Sequence, residues 1–344
     1  MIRYQGNNNI EVRKVQYKIS IIGGGSWGTA LAQLLAKNGY NVLLYVREKT
    51  LKDSINNNNE NPVYLPGVKL NTKIKSAGFE DIDNQLSENL VWAVPGAYSA
   101  QVCKELKDNF KNKNVLIASK GIDFETKNII YNLLAKSVNA HFSIISGPSF
   151  AVEVINSKPT AVSIASKNIT LAKFWQKCFS SDSFRIYTTD DVLGVGLGGA
   201  LKNVIAIATG VSDGLDLGYS ARAAIITRGL AEITRLGVKM GGRLETFMGL
   251  SGLGDLVLTC TSELSRNKTV GKKLAEGLTI EKILKELKGV PEGIYTVKAA
   301  KYLQIFYQVE MPITDEVYKI LYENKNVAAS IVDLMSRPLR DESV

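Results

Sequence analysis

The first half of the chain alternates short apolar runs with stretches of helical spacing. Strand-like runs lie at residues 17–22, 41–46, 89–94, 114–119, 141–146, 160–166 and 184–189. Helical spacing lies between them at residues 27–39 and near 99–110, 125–137 and 170–179. Continuous β-branched runs are typical of a mostly parallel sheet covered on both faces, and the alternation predicts a doubly wound α/β domain over residues 17–189.

After about residue 190 the strand signals fade and helical spacing takes over. Helices are predicted at 191–210, 220–236, 255–261, 265–276, 279–288, 293–306, 314–323 and 327–335. Helix-terminal glycines are expected at Gly237, Gly277 and Gly289, and N-caps at Thr279 and Thr314. The pattern predicts an all-helical second domain over residues 190–344.

Two polar stretches fall outside this scheme. Residues 1–16 have no apolar core of the kind a signal peptide needs, so they are interpreted as a flexible N-terminal tail. The cluster Asn56–Asn59 is interpreted as an exposed loop.

The composition supports two soluble domains. A chain of 344 residues is longer than one hydrophobic core usually accommodates. Its content of 45% hydrophobic and 22% charged residues is typical of globular proteins. The longest uncharged apolar run, Val204–Ala208, is far shorter than the roughly 20 residues of a membrane span. The three cysteines are widely spaced and odd in number, so we expect reduced buried thiols, no metal site and a cytoplasmic protein.

The net charge of +9 has three interpretations. Nucleic acid is one candidate partner, but the basic residues are scattered and no dense run stands out. Solvated lysines, or a small phosphate-bearing ligand drawn to a positive cleft, account for the charge better.

A glycine motif joins the first predicted strand to the first helix. Gly23, Gly25 and Gly28 fit G-x-G-x-x-G, which is weak evidence alone but becomes a Rossmann-type dinucleotide fingerprint between a strand and a helix. An NAD site usually places a carboxylate about 20 residues further on. Arg47 stands there instead, so the sequence favours NADP over NAD as cofactor.

The candidate proton donor is a lysine. The single histidine, His141, begins its strand and so lies opposite the edge where ligands bind, and it is interpreted as a structural or surface residue. Lys202 lies in an apolar, glycine-rich helical stretch, where burial beside Lys120 would lower its pKa into the useful range. The alternative is an ordinary surface lysine.

A second polar group follows at residues 249–267. Ser265, Arg266 and Asn267 open a predicted helix, where hydroxyl, guanidinium, amide and free N–H groups suit a phosphate. A plain N-cap and a solvated arginine are the alternatives there, and Asp255 is either a site residue or the N-cap of its own helix.

At these residues the sequence closely resembles the soluble NAD(P)-dependent glycerol-3-phosphate dehydrogenases of the bacterial type. The resemblance covers about residues 17–335. It is carried by the segments GSWGTALA, NPVYLPG, VWAVP, SKG, SGPSFAVE, LGGALKNVIAIATGVSDGL, ITRGLAEITRLG, GLSGLGDLVLTCTS, SRN and PEG, in that order.

The resemblance implies interconversion of dihydroxyacetone phosphate and sn-glycerol 3-phosphate by hydride transfer with NAD(P)H, which supplies glycerophospholipid synthesis. It implies that Lys202 exchanges the proton and that Lys120 contacts substrate and nicotinamide. By the same resemblance the reacting centre is lined by Asn203, Asp255 and Thr259, the substrate by Gly147, Ser149, Ser265, Arg266 and Asn267, and the cofactor by Ser26, Trp27, Arg47, Ala151, Arg266, Val290 and Glu292.

Two positions depart from the family pattern: Gly196, often Glu or Gln, and Ser220, commonly Asn. Looser helix packing is expected around Gly196.

A homodimer is expected, since dimers are common in this type of enzyme. The alternatives are a dehydrogenase of the same architecture acting on another hydroxyacid, and a non-catalytic dinucleotide-binding protein.

Overall fold

The computed structural model describes residues 19–82, 86–287, 289–339 and 341–342. The predicted tail at residues 1–16, and the first two residues of the predicted strand at 17–22, lie outside the described residues.

One mixed sheet forms the centre of the first domain. The strands are β1 (Ile19–Ile22), β2 (Val42–Val46), β3 (Glu60–Asn61), β4 (Leu65–Lys69), β5 (Ile74–Gly78), β6 (Asn89–Trp92), β7 (Asn114–Ile117), β8 (His141–Ser146), β9 (Thr160–Ala165) and β10 (Phe184–Thr189). In the described part of the chain, the sheet order is β10-β9-β8-β7-β6-β1-β2-β5, and β3 pairs with β4 separately. All neighbours in the sheet are parallel except β8 and β9.

Helices cover both faces of this sheet. They are α1 (Ser26–Lys37), α2 (Lys49–Asn58), α3 (Gly96–Leu106), α4 (Ile130–Ser137), α5 (Ala151–Ile155) and α6 (Ile169–Phe179). The chain leaves β1 for β2 on one side and returns to β6 on the other, so the strand order reverses at β1. The crevice outside the carboxyl ends of β1 and β6 is where doubly wound sheets bind ligands.

The second half of the chain is helical. Its helices are α7 (Val192–Gly214), α8 (Gly218–Lys239), α9 (Leu244–Met248), α10 (Asp255–Thr261), α11 (Arg266–Ala275), α12 (Ile280–Glu286), α13 (Glu292–Tyr307), α14 (Pro312–Tyr322) and α15 (Val327–Met335), with a π-helical turn at Leu250–Gly254. The predicted doubly wound α/β domain followed by helices is thus confirmed. The boundary between residues 189 and 190 stays a prediction, because one buried apolar cluster continues from the sheet into α7.

Helix α7 is the core of the helical half. Within the described residues it is the one helix long and apolar enough to cross a membrane. In its most apolar 18-residue segment, however, 89% of the residues are buried inside the protein. It packs backbone to backbone with α11: a Cβ on Gly271 would lie 2.0 Å from the carbonyl oxygen of Ile207. The glycines of this helix therefore mark close helix contacts.

One local expectation in the first half is wrong. The cluster Asn56–Asn59 is not a loop, since α2 extends to Asn58 and buries Leu51 and Ile55. The Asn56 amide donates to the Ser76 carbonyl at 2.9 Å and accepts from the Ser76 N–H at 2.8 Å. This exchange ties α2 to β5, an edge strand whose weak apolar pattern concealed it from sequence reasoning.

Two expectations about helix ends are also wrong. Thr314 is not an N-cap, because α14 begins at Pro312 and the Thr314 hydroxyl donates to Glu232 Oε2 at 2.9 Å. Gly237 lies inside α8, where a Cβ would stand 2.0 Å from the Phe247 ring. Thr314 serves a contact with a residue 82 positions away and Gly237 one with the next helix, and the local pattern around each residue encodes neither contact.

Candidate active site

A buried carboxylate joins two lysines from opposite halves of the chain. Asp255 is the first residue of α10, and its side chain is 1% exposed. Its Oδ2 accepts a hydrogen bond from Lys120 Nζ at 2.6 Å, and its Oδ1 accepts one from Lys202 Nζ. The N-cap of α10 is Gly254, so the N-cap alternative for Asp255 is wrong.

Lys202 is held in the middle of α7 with its side chain 8% exposed, so the surface-lysine alternative is wrong. Its Nζ also donates to Thr259 Oγ1 at 2.7 Å, and that hydroxyl donates to the Asp255 carbonyl at 2.6 Å. Burial and the charge of Lys120 lower the pKa of Lys202 to about 7, against the opposing attraction of Asp255. The amine is therefore able to give or take a proton near neutrality.

Lys120 reaches the same carboxylate from the sheet. It follows β7, and its Nζ also donates to the Gly147 carbonyl at 3.3 Å, just beyond the end of β8. The Ser149 hydroxyl donates to that carbonyl at 3.1 Å. Gly147 has φ of 148°, and a Cβ there would lie 2.8 Å from Val162 Cα, so only glycine fits this turn.

A chain of amides extends the site along α7. Asn267 Nδ2 donates to Asn203 Oδ1 at 2.9 Å, and Asn267 Oδ1 accepts from the Gly293 N–H at 2.9 Å. Ser265 is the N-cap of α11, with its hydroxyl accepting from the Lys268 N–H at 3.3 Å. Arg266, the first residue of α11, is exposed beside it. The cap is observed, and contact of Ser265 with a substrate stays a prediction.

The glycine motif forms a cradle at the start of α1. Gly25 is the N-cap, and neither a side-chain cap nor an acidic residue occupies the first turn. The space beside the Gly25 Cα is open to 4 Å, whereas a Cβ on Gly23 or Gly28 would strike backbone oxygens. Free N–H groups with open space before them fit a pyrophosphate. Ser26 and Trp27 lie at this end, with the Ser26 hydroxyl donating to the Tyr64 carbonyl at 2.9 Å.

The other predicted cofactor contacts lie on several different elements. Arg47 follows β2, lies 5.3 Å above the Phe79 ring and pairs with Glu105 at 3.3 Å. Ala151 begins α5, and Val290 precedes the start of α13. Glu292 reaches across to α3 and accepts a hydrogen bond from the Gly96 N–H at 2.9 Å. Burial raises the pKa of Glu292 to about 7.

Two residues at this centre were not predicted from the sequence. The Ser146 hydroxyl is buried without a hydrogen-bond partner, and a Cβ on Gly199 would lie 2.4 Å from it. Gly96 receives the Glu292 carboxylate. Their positions at or just after strand ends were the only signal. Over the described residues, no group of three His, Cys, Asp or Glu is arranged to hold a metal ion, and His141 begins β8 as expected.

Comparisons with known proteins match both halves of the chain. Family models described as NAD-dependent glycerol-3-phosphate dehydrogenase N-terminus and C-terminus match residues 18–172 and 191–332. A glycerol-3-phosphate dehydrogenase (NAD(P)+) of Solidesulfovibrio magneticus is 48% identical over 94% of this chain and 100% of its own length. One from Leptospira biflexa is 46% identical over 95% of this chain and 100% of its own length. The crystal structure of the Coxiella burnetii glycerol-3-phosphate dehydrogenase is 37% identical, with a TM-score of 0.89 over 94% of this chain and 99% of that one.

Replacing Asp255 by Asn tests the buried charge pairing. The substitution leaves two lysines facing a neutral amide, so the free energy of unfolding is expected to fall by about 3–5 kcal/mol at pH 6. The deficit should shrink at pH 9, where Lys202, with its pKa near 7, is already neutral in the folded protein. Urea denaturation at both pH values measures this.

The matched control is Asp190→Asn, which removes an exposed ion pair with Arg243. That loss is expected to stay within about 1 kcal/mol. Equal deficits for the two variants would contradict a buried, charge-bearing Asp255.

Proposed function

The chain belongs to the family of NAD-dependent glycerol-3-phosphate dehydrogenases, and we propose that it interconverts dihydroxyacetone phosphate and sn-glycerol 3-phosphate with NAD(P)H, supplying glycerophospholipid synthesis. The observation that carries the mechanism is the buried Lys202 amine, with its pKa near 7, bonded to Asp255 and Thr259. A proton donor of this pKa is what reduction of a ketone to an alcohol requires at neutral pH.

The substrate phosphate is assigned to the start of α11. Ser265, Arg266 and Asn267 place a hydroxyl, a guanidinium and an amide at a helix N-terminus, where the helix dipole favours an anion. Gly147 and Ser149, at the end of β8, are assigned to the other side of the substrate. The Gly147 carbonyl is bonded to Lys120 and Ser149, which keeps this turn against the reacting centre.

The bound reduced cofactor supplies the hydride that the carbonyl carbon receives. Lys202 gives its proton to the carbonyl oxygen as the alcohol forms and takes it back in the reverse direction. Lys120 places positive charge beside the same oxygen, an electrostatic contribution of the oxyanion-hole type. Asp255 holds both ammonium groups in place, while Thr259 and Asn203 orient Lys202 and its neighbouring turn.

The cofactor site is assigned to the cradle formed by Gly23, Gly25, Ser26, Trp27 and Gly28. Further contacts are assigned to Lys120, Ala151, Arg266, Val290 and Glu292, which surround the crevice from both domains. We assign NADP as the preferred cofactor because Arg47, rather than a carboxylate, follows β2. Its stacking on Phe79 presents a guanidinium suited to a 2′-phosphate.

A dehydrogenase acting on another hydroxyacid is the remaining enzymatic candidate. It would share the cradle but has no use for the phosphate-binding start of α11. A panel of ketones with and without a phosphate group distinguishes the two. A non-catalytic dinucleotide-binding protein has no need of two lysines converging on one buried carboxylate, and it would show no turnover with any of them.

We further propose that the enzyme is a cytoplasmic homodimer. Its three cysteines are free and buried, as suits a reducing compartment. Apolar side chains stand exposed on α13, where Ile305 and Phe306 are each 64% exposed. A second copy covering this face would bury them.

Lys202→Ala should lower turnover of dihydroxyacetone phosphate by about 100- to 10,000-fold, because the proton donor is lost. In the wild type the reduction rate should fall as pH rises through about 7, where the Lys202 ammonium deprotonates, and this step should be absent from the variant. Steady-state rates across pH, with NADPH affinity measured by fluorescence, test this. Lys167→Ala, at an exposed lysine, is the control. Turnover of Lys202→Ala at the control rate would place the proton donor elsewhere.

Arg47→Ala should raise the KM for NADPH much more than the KM for NADH, because only NADPH carries the 2′-phosphate. Cofactor titrations at saturating dihydroxyacetone phosphate measure both constants. Lys49→Ala, a nearby exposed cation, should change neither by comparison. An equal rise in both constants would remove the assignment of NADP preference to Arg47.

Sedimentation velocity should give twice the chain mass for the wild type. Phe306→Glu should shift the protein toward a monomer, since it places a charge in the proposed contact. A wild type that sediments at the mass of one chain would refute the dimer, and an unchanged Phe306→Glu dimer would move the contact to another face.

A further inference from the structure

The start of α13 contacts both halves of the catalytic centre. Glu292 and Gly293 are its first two residues, and they follow Pro291, the N-cap. The Glu292 side chain reaches toward the sheet, whereas the Gly293 backbone faces α7 and α11. Glu292 therefore contacts the segments next to Lys120, and Gly293 contacts the segments next to Lys202.

On the sheet side, Glu292 supplies a cap that α3 lacks. The N-cap of α3 is Pro95, which offers no side-chain hydrogen bond, so the first N–H groups of this helix need another acceptor. Glu292 Oε1 accepts from the Gly96 N–H at 2.9 Å across 196 residues of sequence. A carboxylate at a helix N-terminus is also favoured by the helix dipole.

The same contact touches the residues that carry Lys120. A Cβ on Gly96 would lie 2.6 Å from the Lys120 carbonyl oxygen, and a Cβ on Gly121 would lie 3.4 Å from Glu292 Oε2. The backbones at Gly96, Lys120 and Gly121 are therefore packed around one carboxylate. Displacing the Glu292 side chain would remove the group that these backbone segments pack against.

On the helical side, Gly293 is tied to the turn next to Lys202. Its N–H donates to Asn267 Oδ1, and Asn267 Nδ2 donates to Asn203 Oδ1, each at 2.9 Å. A Cβ on Gly293 would lie 2.6 Å from the Asn203 carbonyl oxygen. Backbone contact this close fixes the separation of α13 from α7 at the level of Lys202.

We propose that Glu292 is a positioning residue that, together with Gly293, sets the distance between Lys120 and Lys202 across the domain junction. This inference rests on the proposed function, since it concerns how the two lysines meet at Asp255. It is distinct from a contact between Glu292 and the cofactor, because the hydrogen bond to Gly96 and the packing on Gly121 are made by protein groups alone. Its consequence is a loss of turnover at saturating cofactor.

Three variants and one control test the proposal. Glu292→Ala removes the acceptor for the Gly96 N–H, and kcat with dihydroxyacetone phosphate at saturating NADPH should fall by about 100-fold, the effect of a displacement of about 1 Å. Glu292→Gln keeps an oxygen acceptor of the same length, so kcat should return to within a few-fold of wild type. Glu286→Ala, on the exposed end of α12, is the control.

Gly293→Ala provides an independent arm that leaves the carboxylate intact. Its Cβ pushes α13 away from Asn203, so kcat at saturating NADPH should fall, and saturation separates this loss from any change in the Kd for NADPH that moving Glu292 causes. Thermal unfolding checks that each variant is folded, and if Glu292→Ala is not, Gly293→Ala and Glu292→Gln carry the test.

Defined results would overturn the proposal. A Glu292→Ala enzyme with wild-type kcat and only a raised KM for NADPH would make Glu292 a cofactor contact alone. A Glu292→Gln enzyme as slow as Glu292→Ala, or a Gly293→Ala enzyme with wild-type kcat, would likewise refute positioning by this segment. A wild type inactive on dihydroxyacetone phosphate would instead refute the proposed function.

Discussion

The structure depends on the buried carboxylate of Asp255, which holds one ammonium from each half of the chain. Burying a charged group without a partner costs several kcal/mol, so a charged Lys202 in this place needs the carboxylate of Asp255 beside it. Burial, helped by the charge of Lys120 and opposed by the attraction of Asp255, brings the pKa of Lys202 down to about 7 while the geometry is kept.

The glycines of helix α7 lower its intrinsic stability, but they allow the two halves of the chain to pack closely around Asp255. Each glycine in a helix costs about 1 kcal/mol relative to alanine. The absence of a side chain at these glycines lets neighbouring segments pack closely. A Cβ on Gly198 would lie 2.5 Å from the Ser251 carbonyl oxygen, and a Cβ on Gly199 would lie 2.4 Å from Ser146 Oγ. Lys202 follows one turn later on the same helix. The space beside Gly196 is also occupied, because a Cβ there would lie 2.6 Å from Ile129 Cδ1. The looser packing expected around Gly196 is therefore wrong.

Much of the fold was predictable because strand runs and helical spacing repeat over neighbouring residues. The α/β class, the position of α7 and the glycine turn all followed from such local patterns. What failed depended on distant partners: Thr314 donates to Glu232, 82 residues away, and Asn56 pairs with the edge strand at Ser76. In the site, Lys120 and Lys202 were recognisable as candidates, but the bond of Glu292 to Gly96 spans 196 residues and leaves no local trace.

The proposed separation between the phosphate site at the start of α11 and the proton donor Lys202 has an electrostatic reason. A bare negative charge 8 Å from Lys202 would stabilise its ammonium by about 2 kcal/mol at an effective dielectric constant of 20, raising its pKa by more than one unit. A dianionic substrate would thus undo much of the lowering produced by burial. With the phosphate at its proposed site, Arg266 and the N-terminus of α11 would offset that charge at the phosphate itself. In the proposed mechanism, the positive charge at the start of α11 would therefore serve phosphate binding and also preserve a lysine that titrates near neutrality.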